Sequence, residues 1–238
     1  MLSTSEGGKG MSADLTQDGA EHKYHLVWDW NGTVLNDVEL CFTIMNIILK
    51  EYNKKSIDFI EKYKERFCFP IQEFYEKLGF DTAHPEFYSA LKRYHKLYRQ
   101  GEKTLSLNDG VSPTIQALRN KGVGHSLLSA SPQDVLDRQV SQLKVRRLFD
   151  YVIGISSHYI PNKLCMAQKH VKLLRRQGKE PVFVGDTIYD QQVATKLGCK
   201  CILVTIGHQT LHIHSDQNTQ IINSFFEISD VLFNRCSE

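Results

Sequence analysis

The sequence lacks the features that mark a membrane-embedded or a disulfide-stapled protein. No apolar run approaches the roughly 18 residues that a membrane-spanning helix needs. The six cysteines form no Cys-x-x-Cys pair, and no apolar segment typical of a secretion signal precedes them. We therefore expect reduced thiols, a cytoplasmic location and no membrane partner.

The chain also lacks an excess of charge of either sign. It carries 29 Lys and Arg against 27 Asp and Glu, a formal net charge of +2, with the two signs interspersed. Without a basic stripe, nucleic acid is not an expected partner. Its 238 residues allow one sizeable domain or a core with a smaller insert. The composition leaves monomer and homodimer equally open.

Most of the chain alternates between apolar runs typical of buried strands and helical patterns. Strands are predicted at 24–28, 125–128, 151–155, 182–184 and 202–205, with helical periodicity between most of them. This alternation predicts an α/β fold, a doubly wound parallel sheet with helices on both faces. Residues 1–22 are rich in Gly, Ser, Asp and Thr and are interpreted as a disordered tail.

One long stretch, 36–106, interrupts the strand series and contains no convincing strand. Leu40, Ile44 and Ile48 repeat every four residues, which places them on one helix face. Gly79 and Gly101 stand where a helix C-terminus favours glycine. We therefore predict a helical block at 36–106 inserted into an α/β core formed by 23–35 and 107–238.

Acidic residues follow two of the predicted strands. Asp29 comes directly after the first, and Asp186 and Asp190 follow the fourth. The carboxyl ends of parallel strands line the ligand-binding crevice of such folds, so we expect these side chains to meet there and Asp186 to face the surface. Carboxylates with no cation between them suit Mg²⁺, and an Asp beside such a cation can attack phosphorus.

Both acidic segments resemble signatures of the haloacid dehalogenase (HAD) superfamily. Asp29-Trp30-Asn31-Gly32-Thr33 is similar to the Asp-x-Asp-Gly-Thr signature, and Gly185-Asp186 followed by Asp190 is similar to the acidic metal signature. The resemblance covers about 24–233 and implies a HAD-like, Rossmannoid core with an inserted helical cap. It also implies a Mg²⁺-dependent, phosphoglycolate-phosphatase-like enzyme that hydrolyses a small phosphorylated metabolite through an aspartyl-phosphate.

The resemblance assigns roles to individual residues. Catalytic roles fall to Asp29 as nucleophile, Asn31 and Lys163. The implied metal ligands are Asp29, the carbonyl of Asn31 and Asp186, with Asp190 in support. The implied phosphate-binding residues are Gly32, Thr33, Ser129, Ala130 and Lys163. Ser131 is interpreted as a helix N-cap. Lys163 opens a helix, where a cation opposes the helix dipole unless it has a partner.

The chain departs from the family at Asn31, which replaces the Asp that acts as general acid and base. An amide does not titrate, and general acid–base help is worth roughly 10²–10⁴ in rate. One alternative is a substrate with a good leaving group; another is an acid borrowed from the helical block, Asp37, His158 or Tyr159. C–P or C–halogen hydrolysis, or a catalytically weak phospholigand-binding module, also remains open. His208 follows the last predicted strand and can border the crevice, whereas His212 and His214 receive no assigned role.

Overall fold

The computed structural model describes residues 23–155, 163–213, 215 and 217–233. The tail predicted at 1–22 lies outside the described residues. Among the described helices, none combines the length and apolar character that crossing a bilayer requires.

Strands and helices alternate through most of the described chain. The strands are β1 (Tyr24–Trp28), β2 (Leu35–Asn36), β3 (Ser106–Leu107), β4 (Gly124–Pro132), β5 (Tyr151–Ile155), β6 (Glu180–Gly185), β7 (Lys200–Val204) and β8 (Thr219–Ile222). The helices are α1 (Val38–Glu51), α2 (Ile60–Arg66), α3 (Ile71–Lys77), α4 (Pro85–Gly101), α5 (Val111–Asn120), α6 (Gln133–Gln142), α7 (Lys163–Arg176), α8 (Ile188–Lys196) and α9 (Ile228–Phe233).

Six parallel strands form the central sheet in the order β5-β4-β1-β6-β7-β8. The first strand of the chain thus lies in the middle, with Trp28 opposite Leu127 on one side and Val184 on the other. The chain winds away from β1 in both directions, which creates a crevice at the carboxyl ends of the central strands. The predicted α/β class with a parallel sheet is confirmed.

Helices cover both faces of the sheet, so its strands are apolar on both sides. Along β1, Leu26 and Trp28 belong to one buried cluster and Val27 belongs to the cluster on the opposite face. Alternate side chains of a strand point to opposite faces, so this division follows from the strand geometry. A rigid, two-sided core therefore holds the end of β1 in place.

Helices α1–α4 (Val38–Gly101), which we call the helical insert, have an apolar cluster of their own. Ile44 and Ile48 from α1 are buried in it, as the spacing predicts, together with Phe74 and Phe87. The antiparallel pair β2–β3 carries the chain out to the insert and back. The division of the chain into core and cap domains remains a prediction.

Candidate active site

The end of β1 places Asp29 beside the ends of the two neighbouring strands. The backbone N–H of Asp29 donates to the carbonyl of Val184 at 2.8 Å, which fixes the residue against β6. Carboxylate oxygens of Asp29, Asp186 and Asp190 all lie within 4.8 Å of one another. The structure thus brings together the acidic residues of two segments that are far apart in sequence.

Lys163 is the cation of this group. It is the first residue of α7 and is buried, and its Nζ lies 2.6 Å from Asp29 Oδ1 and 2.7 Å from Asp190 Oδ1. Burial alone would lower the pKa of Lys163, but the carboxylates of Asp190 and Asp29 outweigh it and raise that pKa. These two ion pairs explain how a cation is tolerated at a helix start, against the helix dipole.

Asp190 is held by the first turn of α8. The backbone N–H and the hydroxyl of Thr187 both donate to Asp190 Oδ2, at 3.1 Å and 2.6 Å, which leaves Oδ1 for Lys163. Gly185 makes the approach possible, because a Cβ at that position would lie 2.4 Å from Asp190 Cγ. The capping box of α8 therefore also orients the ammonium of Lys163.

Asp186 is fully buried, so the expectation of a surface-facing carboxylate is wrong. Thr33 Oγ1 donates to Asp186 Oδ1 at 2.8 Å, and the backbone N–H of His208 donates to Oδ2 at 2.6 Å. The loop after β7 covers this carboxylate, which the sequence pattern does not reveal. The hydroxyl of Thr33 is thus engaged by Asp186, and the phosphate role predicted for Thr33 remains a prediction.

Gly32 allows the loop between β1 and β2, which carries Asp29, to pass close to Asp186. Its φ is +72°, and a Cβ there would lie 2.4 Å from Asp186 Oδ2. A side chain at this position would be both strained and in collision with the carboxylate. The phosphate role predicted for Gly32 remains a prediction, but its glycine requirement has a structural cause.

Crowding leaves the carboxylates short of positive charge. Burial raises the pKa of Asp29 to about 7, with Asp190 and Asp186 adding to the rise and Lys163 opposing it. Burial likewise raises the pKa of Asp186 to about 6, although His208 opposes it. Three converging carboxylates with one lysine offer hard oxygen ligands and unbalanced negative charge, and this donor set fits Mg²⁺.

The end of β4 contributes Ser129, Ala130 and Ser131. Ser129 is buried, and its Oγ accepts a hydrogen bond from the backbone N–H of Ser131 at 3.0 Å. Ser131 is not a helix N-cap, because β4 continues to Pro132 and pairs there with Ile155. Its hydroxyl instead donates to Asn31 Oδ1 at 3.0 Å. The phosphate roles of Ser129 and Ala130 remain predictions.

A buried polar network lies next to Asn31 and was not predicted as a unit. Asp37, which precedes α1, accepts from Asn31 Nδ2 at 2.7 Å and pairs with His208 Nε2 at 3.1 Å. The other ring nitrogen of His208 lies 3.0 Å from the hydroxyl of Tyr63 in α2. The sequence marks Asp37 as a possible acid and His208 as a possible crevice residue, but these contacts span long sequence separations.

The remaining residues singled out in the sequence do not join the site. His212 is exposed and belongs to neither of the two groups of potential metal ligands among the described residues. His158, Tyr159 and His214 lie outside the described residues.

Comparison with known proteins gives one consistent family. The profile of the haloacid dehalogenase-like hydrolase family matches residues 26–204. A phosphoglycolate phosphatase of Pseudomonas putida is 26% identical over 122 residues, which cover 50% of this chain and 44% of that protein. One of Pseudomonas syringae is 22% identical over 147 residues, or 60% of this chain and 53% of that protein. The chain spans about half the length of the curated relatives it matches.

Solved structures agree on the fold. A predicted phosphatase from Clostridium acetobutylicum superposes with a TM-score of 0.73 at 18% identity, covering 89% of this chain and 99% of its own. A haloacid dehalogenase-like family protein from Streptococcus pneumoniae gives a TM-score of 0.71 at 16% identity, covering 88% and 98%. Together with the profile match over most of its length, the sheet order and the acidic crevice assign this chain to the haloacid dehalogenase-like hydrolase family.

Proposed function

We propose that this protein is a Mg²⁺-dependent phosphatase that hydrolyses a small phosphorylated metabolite through an aspartyl-phosphate on Asp29. The observation that carries the proposal is the position of Asp29. Its carboxylate lies at the end of the central strand, 2.6 Å from the Lys163 ammonium and close to the carboxylates of Asp186 and Asp190. Relatives named phosphoglycolate phosphatase support this reaction class.

In this mechanism a carboxylate oxygen of Asp29 attacks phosphorus, and the bond between phosphorus and the leaving oxygen breaks. Water then attacks the acyl phosphate, which releases inorganic phosphate and regenerates the carboxylate. Lys163 favours the ionised form of Asp29 and offsets negative charge as the phosphoryl group approaches. The hydroxyl of Ser129 would bind a phosphoryl oxygen. Phosphoryl transfer depends mainly on positioning and charge neutralisation, and these residues supply both.

The metal would be held by the carboxylates of Asp29 and Asp186 and the carbonyl of Asn31, with Asp190 in support. When bound, Mg²⁺ would neutralise charge on the phosphoryl oxygens and bring them close to the nucleophile. The raised pKa values of Asp29 and Asp186 support a cation requirement, because each reflects a buried carboxylate whose charge is incompletely balanced.

This chain differs from the family signature at Asn31, the position that would protonate the leaving group. Asn31 has no titratable proton to give. Asp37 is buried, and the charge of His208, together with hydrogen bonds from His208 and Asn31, holds the pKa of this carboxylate below its usual value despite burial. Neither side chain can protonate an alkoxide, so the preferred substrates have leaving groups that are stable as anions.

Contacts between the helical insert and the crevice favour a small substrate. Tyr98 of α4 accepts a hydrogen bond from Asn31 Nδ2 at 3.0 Å, and Tyr63 of α2 contacts His208. The insert thus meets the core next to the loop that carries Asp29, as expected of a cap. A macromolecular phosphate ester would have to displace these contacts.

The experiment is a panel of aryl, acyl and alkyl phosphates with Mg²⁺ and with a chelator, followed by trapping of the intermediate. Quenching during turnover and reduction with borohydride should convert Asp29 to homoserine, which peptide mass mapping detects. Asp29→Asn is the matched control and should give neither turnover nor label. A label at another residue would overturn the mechanism. Phospholigand binding without turnover of any substrate would indicate the binding-module alternative.

A further inference from the structure

Both the nitrogen and the oxygen of the Asn31 side-chain amide have hydrogen-bond partners. Nδ2 donates to Asp37 Oδ2 at 2.7 Å and to the Tyr98 hydroxyl at 3.0 Å, while Oδ1 accepts from Ser131 at 3.0 Å. The orientation of the amide is set by chemistry, because an ionised carboxylate can only accept. Nitrogen must therefore face Asp37, and Asn31 acts there as a neutral donor.

The Asp37 carboxylate is the centre of this arrangement and is fully buried. Its Oδ1 accepts from the backbone N–H of Gly32 at 2.8 Å and pairs with His208 Nε2 at 3.1 Å. Its Oδ2 accepts from Asn31 and, at 2.8 Å, from the Tyr98 hydroxyl. Asp37 thus links three segments: the loop that carries Asp29, the loop after β7 and the helical insert. Its negative charge therefore has a structural role.

An aspartate in place of Asn31 would disturb these contacts. Two carboxylates would then face each other at the 2.7 Å that now separates Asn31 Nδ2 from Asp37 Oδ2. The Tyr98 hydroxyl has one proton and can satisfy only one of them. An ionised carboxylate can only accept, so the hydrogen bond between positions 31 and 37 would be lost and the two acceptors would repel each other. Moving them apart displaces the loop that carries Asp29.

We infer that Asn31 is a positioning residue whose neutral amide is matched to the Asp37 carboxylate, so that this chain tolerates an Asp at 31 best when residue 37 carries the amide. The inference rests on the proposed function only for its catalytic consequence, since the hydrogen-bond geometry stands without it. Introducing the family's Asp at position 31 alone therefore impairs the protein.

The hydrogen bonds also predict which combination restores the pairing. In the double variant Asn31→Asp with Asp37→Asn, the new amide at 37 can donate to the carboxylate at 31 and to the Tyr98 hydroxyl. Tyr98 and Ser131 can then both donate to the carboxylate at 31, while the amide oxygen at 37 still accepts from Gly32. In the single Asp37→Asn variant, His208 loses its carboxylate partner, and the two amides at 31 and 37 fit together only if one of them turns over.

The test is a double-mutant cycle measured by urea unfolding in the metal-free protein and by p-nitrophenyl phosphate turnover with Mg²⁺. Each single variant should increase the unfolding equilibrium constant about tenfold or more, and the double variant should lose clearly less stability than the sum of the two single losses. Turnover should follow the same pattern, with kcat of the singles reduced about tenfold or more and restored in the double. The kcat rescue is the readout that separates positioning from general stability.

Two further variants make the cycle specific. Asn31→Ala removes the donor without adding charge, and it should cost less stability than Asn31→Asp. Asn36→Asp makes the same change at an exposed neighbouring position and should unfold like wild type. An Asn31→Asp variant as stable as Asn36→Asp, or additive losses in the double variant, would overturn the inference. A non-additive stability cycle in a protein that hydrolyses no phosphate ester would support the pairing and refute the proposed function.

Discussion

Lys163 Nζ lies 2.6 Å from Asp29 Oδ1, and it is the cation of a buried cluster that contains three carboxylates. Removing one partner of a buried ion pair leaves uncompensated charge and costs about 3–5 kcal/mol. We therefore expect Lys163→Met to lower the metal-free unfolding free energy by several kcal/mol, as measured by urea titration.

The matched control for this change is Lys172→Met, on the exposed side of the same helix. Surface changes of this kind usually stay within about 0.5 kcal/mol. Equal losses in the two variants would contradict the role of Lys163 in the cluster. Mg²⁺ should recover part of the loss in Lys163→Met, because it supplies positive charge to the same carboxylates.

Asp186→Asn should change both metal binding and the pH dependence of stability. Burial raises the pKa of Asp186 from its usual 3.8 to about 6, so its ionisation opposes folding. The stability that protonated Asp186 gives the folded state is fully present below pH 3.8 and is lost as the pH rises to about 6. In the metal-free wild type this loss is of the order of 3 kcal/mol, and it should be absent from Asp186→Asn.

Calorimetry should show that Asp186→Asn has lost Mg²⁺ affinity, and activity should fall with it. Saturating Mg²⁺ should also remove the pH-dependent loss from the wild type. Wild-type Mg²⁺ affinity in Asp186→Asn would rule out this carboxylate as a ligand.

A cluster of buried histidines far from the crevice predicts acid sensitivity. His25 Nε2 and His170 Nε2 lie 2.6 Å and 2.7 Å from the same hydroxyl, that of Ser126. Burial lowers the pKa of each imidazole to about 4. Between pH 6.5 and 4 the unfolded chain binds more protons than the folded one. The unfolding free energy therefore decreases as the pH is lowered, by up to about 1.4 kcal/mol per pH unit for each imidazole.

His170→Gln should remove one such contribution from the slope of unfolding free energy against pH. His212→Gln changes an exposed imidazole and serves as the control. A His170→Gln slope equal to that of the wild type between pH 6.5 and 4 would show that this imidazole does not titrate in the expected way.

The substitution at Asn31 predicts a steep dependence of turnover on the leaving group. Aryl and acyl phosphates should react far faster than alkyl phosphates, because a stable leaving anion needs no proton. The double variant with Asp at 31 and Asn at 37 should gain about one to three orders of magnitude on alkyl phosphates, within the usual worth of a general acid. Asn31→Asp alone should not gain.

The measurement is a plot of log rate against leaving-group pKa for the wild type and the variants. Asn-Gly pairs deamidate, so the wild-type mass must be checked first. A flat wild-type plot would mean that a group outside this pair already donates the proton.

Sequence patterns predicted the elements whose signal is local. Strand β5 has the predicted bounds and helix α7 begins at the predicted Lys163, because an apolar run and a helix start are visible within a few residues. The two-residue strands β2 and β3 are too short to show periodicity, and β8 lies in a polar stretch. Their pairing depends on partners that are distant in the chain.

The candidate site shows the same division. The acidic residues at the ends of β1 and β6 were found because strand ends are predictable, and a parallel sheet brings such ends together. The pairing of Asn31 with Asp37 and the burial of Asp186 beneath the loop of His208 depend on where loops return. No periodicity encodes such returns, so only the folded chain reveals them.

The central place of β1 also has a consequence for synthesis on the ribosome. This strand emerges before both of its neighbours in the sheet, β4 (Gly124–Pro132) and β6 (Glu180–Gly185). Its apolar residues must stay unpaired while the helical insert, which has its own apolar cluster, is made and can begin to fold. The nascent chain therefore cannot pair both edges of β1 until Gly185 has left the ribosomal tunnel, and only then can Asp29 and Asp186 meet.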